Sequence, residues 1–373
     1  AEVLMDGRVL VILVEGAYMV TRKDIAQKAN VSISVVSRAL NNSGYVEAEK
    51  KKRILEIAEE LNYHPNPVAM SLMERRTKQI MFYCKDLKNA FNIEVYEGML
   101  EEAKKYGYMV VIHGNLDFES VKNMMVDGLI LTNEEVTARY LEDVGSHYYL
   151  PVVTASYGSP TSFKKSVPMI ECDLFEGCTM LLQYLWDRDH RKIAMISPYE
   201  FKAPNARTYA WREFMKYELK DQLKEYYFGI DRRSLANDER IYRFPEEAEG
   251  SDPSTTSENY FEKGMLAAEL FTEQKCDATA VIAFNDEMAL GFYKKMRLLG
   301  YQIPKNVSVV GFDGIYARRY TDQLLTTLSL SPRLQGAKCV EVLMNILIEK
   351  KYKHITRIPL KILEGETVRD LRR

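Results

Sequence analysis

The sequence has few of the features that mark a secreted or membrane protein. Its five cysteines are odd in number and include no Cys-x-x-Cys pair, so they predict buried thiols in a reducing cytosol. An early apolar run, Val9 to Val14, is too short to span a bilayer and is closed by Glu15 without a small-residue cleavage site. We therefore expect a cytoplasmic location, no secretion signal and no membrane contact.

The sequence motifs of common enzymes are also missing. We find no G-x-S-x-G, Walker loop, G-x-G-x-x-G or H-E-x-x-H, and the five histidines are scattered. A sequence does not show whether two carboxylates lie close enough for acid-base catalysis, so this chemistry is not excluded at this point. We expect no catalytic residues, no metal ligands and no cofactor.

Charge is distributed unevenly along the 373 residues. Residues 19–78 contain eleven Lys or Arg and seven Asp or Glu, a balance of +4, which leaves −6 for the remainder of a chain whose total is −2. Nucleic acid is expected at a basic segment, although a solvated helix face would give the same count. The length fits a small domain followed by a two-lobed one.

The basic segment predicts two short helices joined by a tight turn. Thr21 and Asp24 have capping-box spacing, and Asn30 tolerates the left-handed conformation that ends a helix. Ser32 then caps a second helix that turns Val36 inward. Such a helix-turn-helix can place its second helix in the major groove of DNA, although small helical domains without a DNA partner also contain this turn.

A third helix and a short fourth one are predicted next. The third runs from about Ala48 to Leu61, and the basic residues 50–53 in its first half could contact phosphate. Asn66 and Pro67 then form an N-cap and a first-turn proline for a helix that is marginal alone. We therefore predict a hinge helix and linker over residues 65–78.

Together these features resemble the DNA-binding headpiece and hinge of the lactose-repressor (LacI/GalR) family. The resemblance rests on the motifs Asp24-Ile-Ala, Val31-Ser, Val36-Ser-Arg-Ala-Leu, Leu61-Asn-Tyr-His-Pro-Asn and Val68-Ala-Met-Ser-Leu. It implies a helix-turn-helix headpiece over residues 19–64. A family member would begin near Met19, so residues 1–18 are interpreted as a non-native or wrongly assigned leader.

The resemblance also implies double-stranded DNA as a partner. In the family, the positions of Ile33, Ser34 and Arg38 read bases, and a leucine at the Leu72 position enters the minor groove. The implied DNA-contacting residues are Thr21, Ser32, Ile33, Ser34, Ser37, Arg38, Asn41, Tyr63, Asn66, Ala69 and Leu72.

From Lys78 onward, short apolar runs alternate with amphipathic stretches of helical length, which is typical of parallel βαβ units. Strands are predicted at 80–84, 109–112, 129–131, 152–154, 193–196, 241–244, 280–283 and 307–312. One helix face is predicted from Ile93, Tyr96, Met99, Leu100 and Ala103. Two doubly wound sheets in succession make two lobes, and ligands bind in crevices at the strand ends.

This segment resembles the periplasmic-binding-protein-like core of the same family. The motifs are Val126-Asp-Gly-Leu-Ile, His190-Arg-Lys-Ile-Ala, Ala283-Phe-Asn-Asp-Glu-Met-Ala-Leu-Gly, Val307-Ser-Val-Val-Gly-Phe-Asp and Leu325-Thr-Thr. The predicted fold is an N-terminal all-α headpiece plus an α/β two-lobed core, 79–373, of two doubly wound parallel sheets. The family's three crossings between lobes imply a first lobe of about 79–169 and 331–351, and a second of about 170–330 and 352–373.

Within the core, Arg207, Asn285 and Asp313 match the positions that contact the effector in family members. A guanidinium and a carboxylate can bind a polyol through paired donors and acceptors, although a structural ion pair would use the same two groups. Phe91 lies where aromatic residues of the family line the pocket, and it could equally be a core phenylalanine. Asn89 and Ser156 complete the predicted effector-binding set.

Two departures from the family pattern leave the ligand open. The segments 85–90 and 173–177 read Lys-Asp-Leu-Lys-Asn-Ala and Asp-Leu-Phe-Glu-Gly, where the family commonly has Pro-Asp-Ile-Ser-Asn-Pro and Asp-Asn before its Gly. Residues 245–259 are acidic and rich in Ser, Thr and Pro, and they predict a solvated loop insertion.

The sequence thus predicts a homodimeric, sequence-specific DNA-binding transcriptional regulator, a repressor released by a small sugar. One headpiece reads a half-site, so two related by a two-fold axis read a pseudo-palindromic operator. One alternative is a corepressor-activated regulator that senses a purine or another small metabolite, since Arg and Asp suit both ligand classes. Another is a sugar-binding protein without a DNA role, which would leave the headpiece unexplained.

Overall fold

The computed structural model describes residues 2–5, 8–11, 20–65, 70–71, 74–84, 86–114, 118, 121, 124–144, 150–158, 167–230 and 259–372. They fall into two compact units, Ala1–Thr77 and Lys78–Arg373. The predictions for Asn66, Ala69, Leu72, the strand 241–244 and residues 245–258 lie outside the described residues. No helix in the described part of the chain is long and apolar enough to cross a membrane.

The N-terminal unit contains an antiparallel strand pair and three helices. The strands, β1 Glu2–Met5 and β2 Arg8–Val11, lie in the segment interpreted from sequence as a leader. The helices are α1 Arg22–Ala29, α2 Ile33–Leu40 and α3 Ala48–Glu60.

Local chemistry sets both ends of α1 as the sequence predicts, while Ser32, the N-cap residue of α2, makes no side-chain capping bond. The Asp24 carboxylate accepts hydrogen bonds from the Thr21 backbone N–H (2.8 Å) and hydroxyl (2.7 Å), and these bonds lower the pKa of Asp24. Asn30 ends α1 in the left-handed conformation, at φ 55°. The buried core of the three helices is Ile25, Ala26, Ala29, Val36, Ala39, Ile54, Ile57 and Ala58.

The second unit contains two six-stranded sheets. The first has the order β13-β7-β6-β5-β3-β4 and is wholly parallel. Its strands are β3 Gln79–Tyr83, β4 Met109–His113, β5 Gly128–Leu131, β6 Val152–Ser156, β7 Met169–Glu171 and β13 Ile355–Arg357. The sheet and the helices packed on it are called the first lobe below.

The second sheet has the order β14-β12-β11-β10-β8-β9, in which only the β12–β14 pair is antiparallel. Its strands are β8 Ile193–Ser197, β9 Tyr227–Gly229, β10 Ala280–Ala283, β11 Ser308–Asp313, β12 Thr326–Ser329 and β14 Lys361–Leu363. This sheet and its helices form the second lobe. The fold class is the one predicted, two predominantly parallel α/β lobes behind a helix-turn-helix.

Helices follow the strands as expected for βαβ units. They are α4 Ala90–Lys105, α5 Glu134–Val144, α6 Leu174–Trp186, α7 Ala206–Leu219, α8 Tyr260–Glu273, α9 Asp286–Leu298 and α10 Pro332–Ile348. Short 3-10 helices lie at Lys220–Tyr226 and Tyr316–Arg319.

The C-terminal boundary between the lobes differs from the prediction. The strand β13, at 355–357, pairs with β7 of the first sheet, so residues 352–357 are not part of the second lobe. β7 likewise carries the first lobe to Glu171, two residues past the predicted limit. Both strands have three residues, and β13 is largely exposed, so neither carries the apolar run by which buried strands are recognised.

The buried face of α4 is also displaced from the predicted one. Met99 and Ala103 are buried as predicted, but Ile93 and Leu100 are exposed. The cause is Gly98, where an added Cβ would lie 2.0 Å from the Arg333 carbonyl oxygen. The helix therefore packs backbone to backbone on α10 along a face that a hydrophobic pattern does not show.

Candidate nucleic-acid interface and ligand cleft

The second helix of the N-terminal unit presents a polar face to solvent. Val36 and Ala39 of α2 are buried in the three-helix core, while Ile33, Ser34 and Arg38 are exposed, Ile33 by 50%. The Ser34 hydroxyl lies 2.8 Å from that of Ser32, the N-cap residue of α2. The side chains predicted to read bases therefore lie together on the solvent side of the helix.

One arginine that the sequence interpretation missed links three predicted DNA-contacting residues. The Arg22 guanidinium donates to the hydroxyls of Tyr63 (3.3 Å) and Ser37 (3.1 Å) and to the side-chain oxygen of Asn41 (3.4 Å). Tyr63 follows α3, while Ser37 and Asn41 belong to α2 and its C-terminal end. Arg22 of α1 therefore links the other two helices. No repeating pattern marks such a residue in a sequence.

The basic residues at the start of α3 have acidic or amide neighbours. Lys50 pairs with Glu47 at 2.7 Å, and Lys51 donates to the Asn42 side chain. Exposed pairs of this kind contribute little to stability, because solvent and salt screen them. The lysines can therefore exchange these partners for phosphate at little cost.

The second unit contains a cleft of about 520 Å³ at the carboxyl ends of the strands of both lobes. Ligand sites of α/β proteins typically lie there. Its lining residues are Asp86, Asn89, Phe91, Asn92, Thr132, Asn133, Glu135, Val136, Arg139, Tyr157, Leu174, Tyr199, Asn205, Arg207, Tyr260, Phe284, Asn285, Asp313 and Leu330.

Four asparagines of the cleft are the N-cap residues of helices. The side-chain oxygens of Asn89, Asn133, Asn205 and Asn285 accept backbone N–H groups in the first turns of α4, α5, α7 and α9. Each such oxygen satisfies an N–H group that has no partner inside its helix. The caps fix the orientation of four carboxamides around the cleft.

Arg207, in the first turn of α7, is buried beside the cleft. Its guanidinium lies between the rings of Phe284 and Phe312, at 4.1 and 4.4 Å from their centroids, and donates to the Phe284 carbonyl oxygen at 2.6 Å. Its Nη2 lies 3.7 Å from Asp313 Oδ1, which is too long for a hydrogen bond. Its buried Nε has no hydrogen-bond partner among the described residues.

Asp313 ends β11 and faces this guanidinium. No described group donates a hydrogen bond to its carboxylate, and burial raises its pKa well above the ordinary value against the opposing attraction of Arg207. The pair therefore retains donor and acceptor capacity that the described side chains do not use. This is what a site for a polar ligand requires.

Aromatic rings lie on both sides of the cleft. Phe91 and Tyr157 of the first lobe meet edge to face at 6.1 Å. In the second lobe, Phe284 contacts Tyr199 at 5.3 Å and lies nearly parallel to Tyr260 at 6.1 Å. Flat apolar surfaces thus alternate with the planar polar groups.

Five of the six predicted effector-binding residues line the cleft, namely Asn89, Phe91, Arg207, Asn285 and Asp313. The exception is Ser156, which is buried at the end of β6 and donates to Glu134 at 2.7 Å. The next residue, Tyr157, lies in the cleft wall instead, because successive residues of a strand point to opposite sides. The sequence analysis does not single out Asn133 and Asn205 as cleft residues, although asparagine is a preferred N-cap residue and each stands directly before a helix.

Two hydrogen bonds join the lobes beside the cleft. The Glu287 carboxylate in α9 accepts the Ala90 N–H at the start of α4, at 3.2 Å, and the Glu94 carboxylate accepts the Tyr316 N–H at 2.5 Å. Burial raises the pKa of both carboxyls. Within the described part of the chain, no cluster of His, Cys, Asp and Glu has a metal-binding arrangement.

Two family models match the chain in the regions described. Residues 21–66 match the model for bacterial regulatory proteins of the lacI family, and residues 182–368 match the periplasmic binding protein-like domain. The first match covers the three helices, and the second covers most of the second lobe and α10.

Curated relatives match over nearly the whole chain. The HTH-type transcriptional repressor PurR of Vibrio cholerae serotype O1 (strain M66-2) is 27% identical over 95% of this chain and 99% of its own length. PurR of Pasteurella multocida (strain Pm70) is 28% identical over 89% and 93%.

Solved structures share the fold at lower identity. The lac repressor dimer bound to operator and the anti-inducer ONPF is 19% identical, with a TM-score of 0.72 over 93% of this chain and 98% of that one. The transcriptional regulator CelR in complex with cellobiose is also 19% identical, with a TM-score of 0.56 over 93% and 99%. The chain belongs to the lacI family of bacterial regulatory proteins and is a DNA-binding transcriptional regulator.

Proposed function

We propose that this repressor reads its operator with α2 and is controlled by a sugar bound between the two core lobes. Ile33, Ser34 and Arg38 would contact base edges, because they are the exposed side chains of the helix that a helix-turn-helix places in the major groove. Arg22 would fix Ser37, Asn41 and Tyr63 for contacts to the flanking backbone.

The convergence of asparagine-capped helices, Arg207 and Asp313 on one cleft carries the effector assignment. Ten of the nineteen lining residues are Asp, Asn, Glu or Arg, and five are aromatic. Planar polar groups bind paired hydroxyls, and aromatic rings cover the apolar face of a sugar ring. The lining includes three carboxylates and two guanidiniums, so the cleft does not favour a phosphorylated ligand.

A purine base is the second candidate. It is favoured by the full-length curated relatives named PurR and by the rings of Tyr199, Tyr260 and Phe284, which offer stacking surfaces. Against it, a free base presents its donors and acceptors in one plane, whereas the polar residues of the cleft come from both lobes. The solved neighbours named with cellobiose or ribose share only the fold with this chain, and do not decide between the two classes.

Thermal unfolding with cellobiose, ribose, hypoxanthine and guanine would separate these candidates. A ligand that binds only the folded protein adds about 2.7 kcal/mol of stability at 100 times its dissociation constant. We expect a rise in the unfolding midpoint with a sugar and no rise in Arg207→Met. A rise with a base alone would support the second candidate, and no rise with any related sugar or purine would contradict both.

We further propose that the repressor acts as a homodimer in the cytoplasm, where its DNA lies. Ile93, Leu100, Met109 and Val111 are exposed apolar side chains on α4 and the edge strand β4, and such exposure favours an interface. Selection from random duplex DNA should recover a pseudo-palindrome, and sedimentation should give twice the chain mass. A single half-site or a monomer would contradict the dimer.

A further inference from the structure

Three consecutive side chains at the start of α9 make different contacts. Asn285 caps the helix, and Glu287 reaches the first lobe. Between them, the fully buried Asp286 carboxylate accepts the N–H groups of Gly314 and Ile315, both at 2.9 Å, and the Thr327 hydroxyl at 2.5 Å. Asp286 therefore joins the start of α9 to the turn after β11 and to β12.

The turn that Asp286 contacts has an unusual backbone. Asp313 has φ 128° and Gly314 has φ 75°, so two consecutive residues lie outside the conformations that side chains favour. A Cβ at Gly314 would lie 2.5 Å from the Ser329 side chain. Such a backbone persists only where its surroundings fix it, and Asp286 supplies two of the fixing bonds.

The same turn sets the direction of Asp313. On one side, the Asp313 carbonyl oxygen accepts the Leu330 N–H at 3.0 Å. On the other side, the Gly314 and Ile315 N–H groups are bound to Asp286. The Asp313 side chain leaves the backbone between these anchors and faces Arg207 at 3.7 Å.

We infer that Asp286 is a positioning residue for effector binding, which fixes the turn at Gly314 and Ile315 so that the Asp313 carboxylate faces the cleft beside Arg207. The inference rests on the proposed function, in which Asp313 contacts the effector. Asp286 itself is not among the residues that line the cleft. Its influence on affinity passes through the conformation of Asp313.

Hydrogen exchange of the effector-free protein tests the first step. Asp286→Ala should increase the exchange rates of the Gly314 and Ile315 amides at least tenfold, because they lose their acceptor. Asp286→Asn should retain most of the protection, since its amide oxygen can still accept both N–H groups. Asp277→Ala is the control, because it also removes a second-lobe carboxylate, one that is bonded to Lys192 and Tyr226. It should leave the exchange rates of both amides unchanged.

Titration tests the second step. Cellobiose, ribose, hypoxanthine and guanine are titrated into the wild type, Asp286→Ala, Asp286→Asn, Asp313→Asn and the double variant Asp286→Ala/Asp313→Asn. For a compound that binds, Asp286→Ala should weaken affinity at least tenfold, with Asp286→Asn close to wild type. Because Asp286 acts through Asp313, the double variant should be no weaker than Asp313→Asn alone.

The outcomes separate the inference from the function on which it rests. Unchanged exchange at Gly314 and Ile315 in Asp286→Ala would overturn the inference whether or not any of the four compounds binds. An affinity loss that persists in full without the Asp313 carboxylate would overturn it as well. Wild-type affinity of Asp313→Asn for a compound that binds would instead overturn the proposed site. If Asp286→Ala does not fold, Asp286→Asn carries the test: amide exchange and affinity should change together, and rapid exchange at both amides with wild-type affinity for a compound that binds would contradict the inference.

Discussion

Asp313→Asn offers a test of the cleft that needs no ligand. If Asp313 and Arg207 form a structural ion pair, breaking it should destabilise the protein by about 3–5 kcal/mol, because a buried charge loses its partner. If the carboxylate serves an effector, its removal should cost the effector-free protein nothing. Asparagine has nearly the same shape and backbone preference as aspartate. The substitution therefore measures only the effect of removing the charge, for which the two interpretations predict different results.

The structure indicates which effect is larger. Two unit charges 3.7 Å apart attract by about 4.5 kcal/mol at an effective dielectric constant of about 20, while burying a carboxylate costs several kcal/mol. The pKa of Asp313 is nevertheless raised, with burial as the largest cause, so desolvation exceeds the attraction of Arg207. We therefore expect Asp313→Asn to leave the free energy of unfolding unchanged or to raise it by about 1 kcal/mol.

The pH dependence provides a second criterion. A carboxyl whose pKa is raised on folding binds more protons in the folded state, so its contribution to stability falls as pH rises above about 4. The advantage of Asp313→Asn should therefore grow between pH 5 and pH 8. Urea unfolding followed by tryptophan fluorescence measures the free energy of unfolding at each pH, and a loss of about 3 kcal/mol in Asp313→Asn at pH 8 would refute the reasoning.

A matched control with the opposite sign lies in the same lobe. Hydrogen bonds from Lys192 and Tyr226 lower the pKa of Asp277, so this carboxylate stabilises the folded state above its unfolded pKa near 4. Asp277→Asn should lower stability throughout pH 5–8. Parallel behaviour of the two variants would show that the difference between the sites is not electrostatic.

Other predictions concern the DNA interface, the lobes and a buried histidine. Arg38→Ala should relax specificity at one operator position by about 1–3 kcal/mol, and an equal loss on operator and random DNA in a gel-shift titration would show contact with phosphate only. Glu287→Ala removes the bond to Ala90, worth about 1 kcal/mol, and should open the effector-free lobes; unchanged small-angle scattering would contradict this. Burial lowers the pKa of His190, which is bonded to Thr279 and Arg369, so wild-type stability should fall below about pH 6.5. In His190→Gln that fall, measured by urea unfolding, should be reduced, and a curve parallel to that of the wild type would exclude His190 as its source.

The elements with strong periodic patterns could be predicted from sequence, and the short ones could not. α1 begins at its capping box and ends at Asn30, which adopts the expected conformation, and α2 and α3 begin at the predicted residues. The buried strand at 280–283 matches its predicted bounds. The sequence does not predict the short strands β7 and β13, because three residues are too few to show an alternating pattern. It predicts the wrong buried face for α4, because Gly98 packs through its backbone.

The cleft shows the same division. The resemblance to the family places Arg207 and Asp313 at the cleft, and both line it in the structure; their role in binding an effector remains a prediction. Tyr199 and Tyr260 were not identified, because what brings them to Phe284 is the convergence of separate segments on one cleft. Asp286 could not be assigned either, since its partners are backbone groups of residues 28 and 29 positions away.

The asparagine caps of the cleft have a consequence for how specificity can evolve. Aspartate caps a helix about as well as asparagine, so exchanging one for the other at Asn89, Asn133, Asn205 or Asn285 would preserve the first turn of the helix. The exchange would replace an amide that donates with a carboxylate that only accepts. A descendant of this repressor could thus acquire a different effector by single substitutions at little expense in folding, and the four positions are natural choices for a library that retargets it.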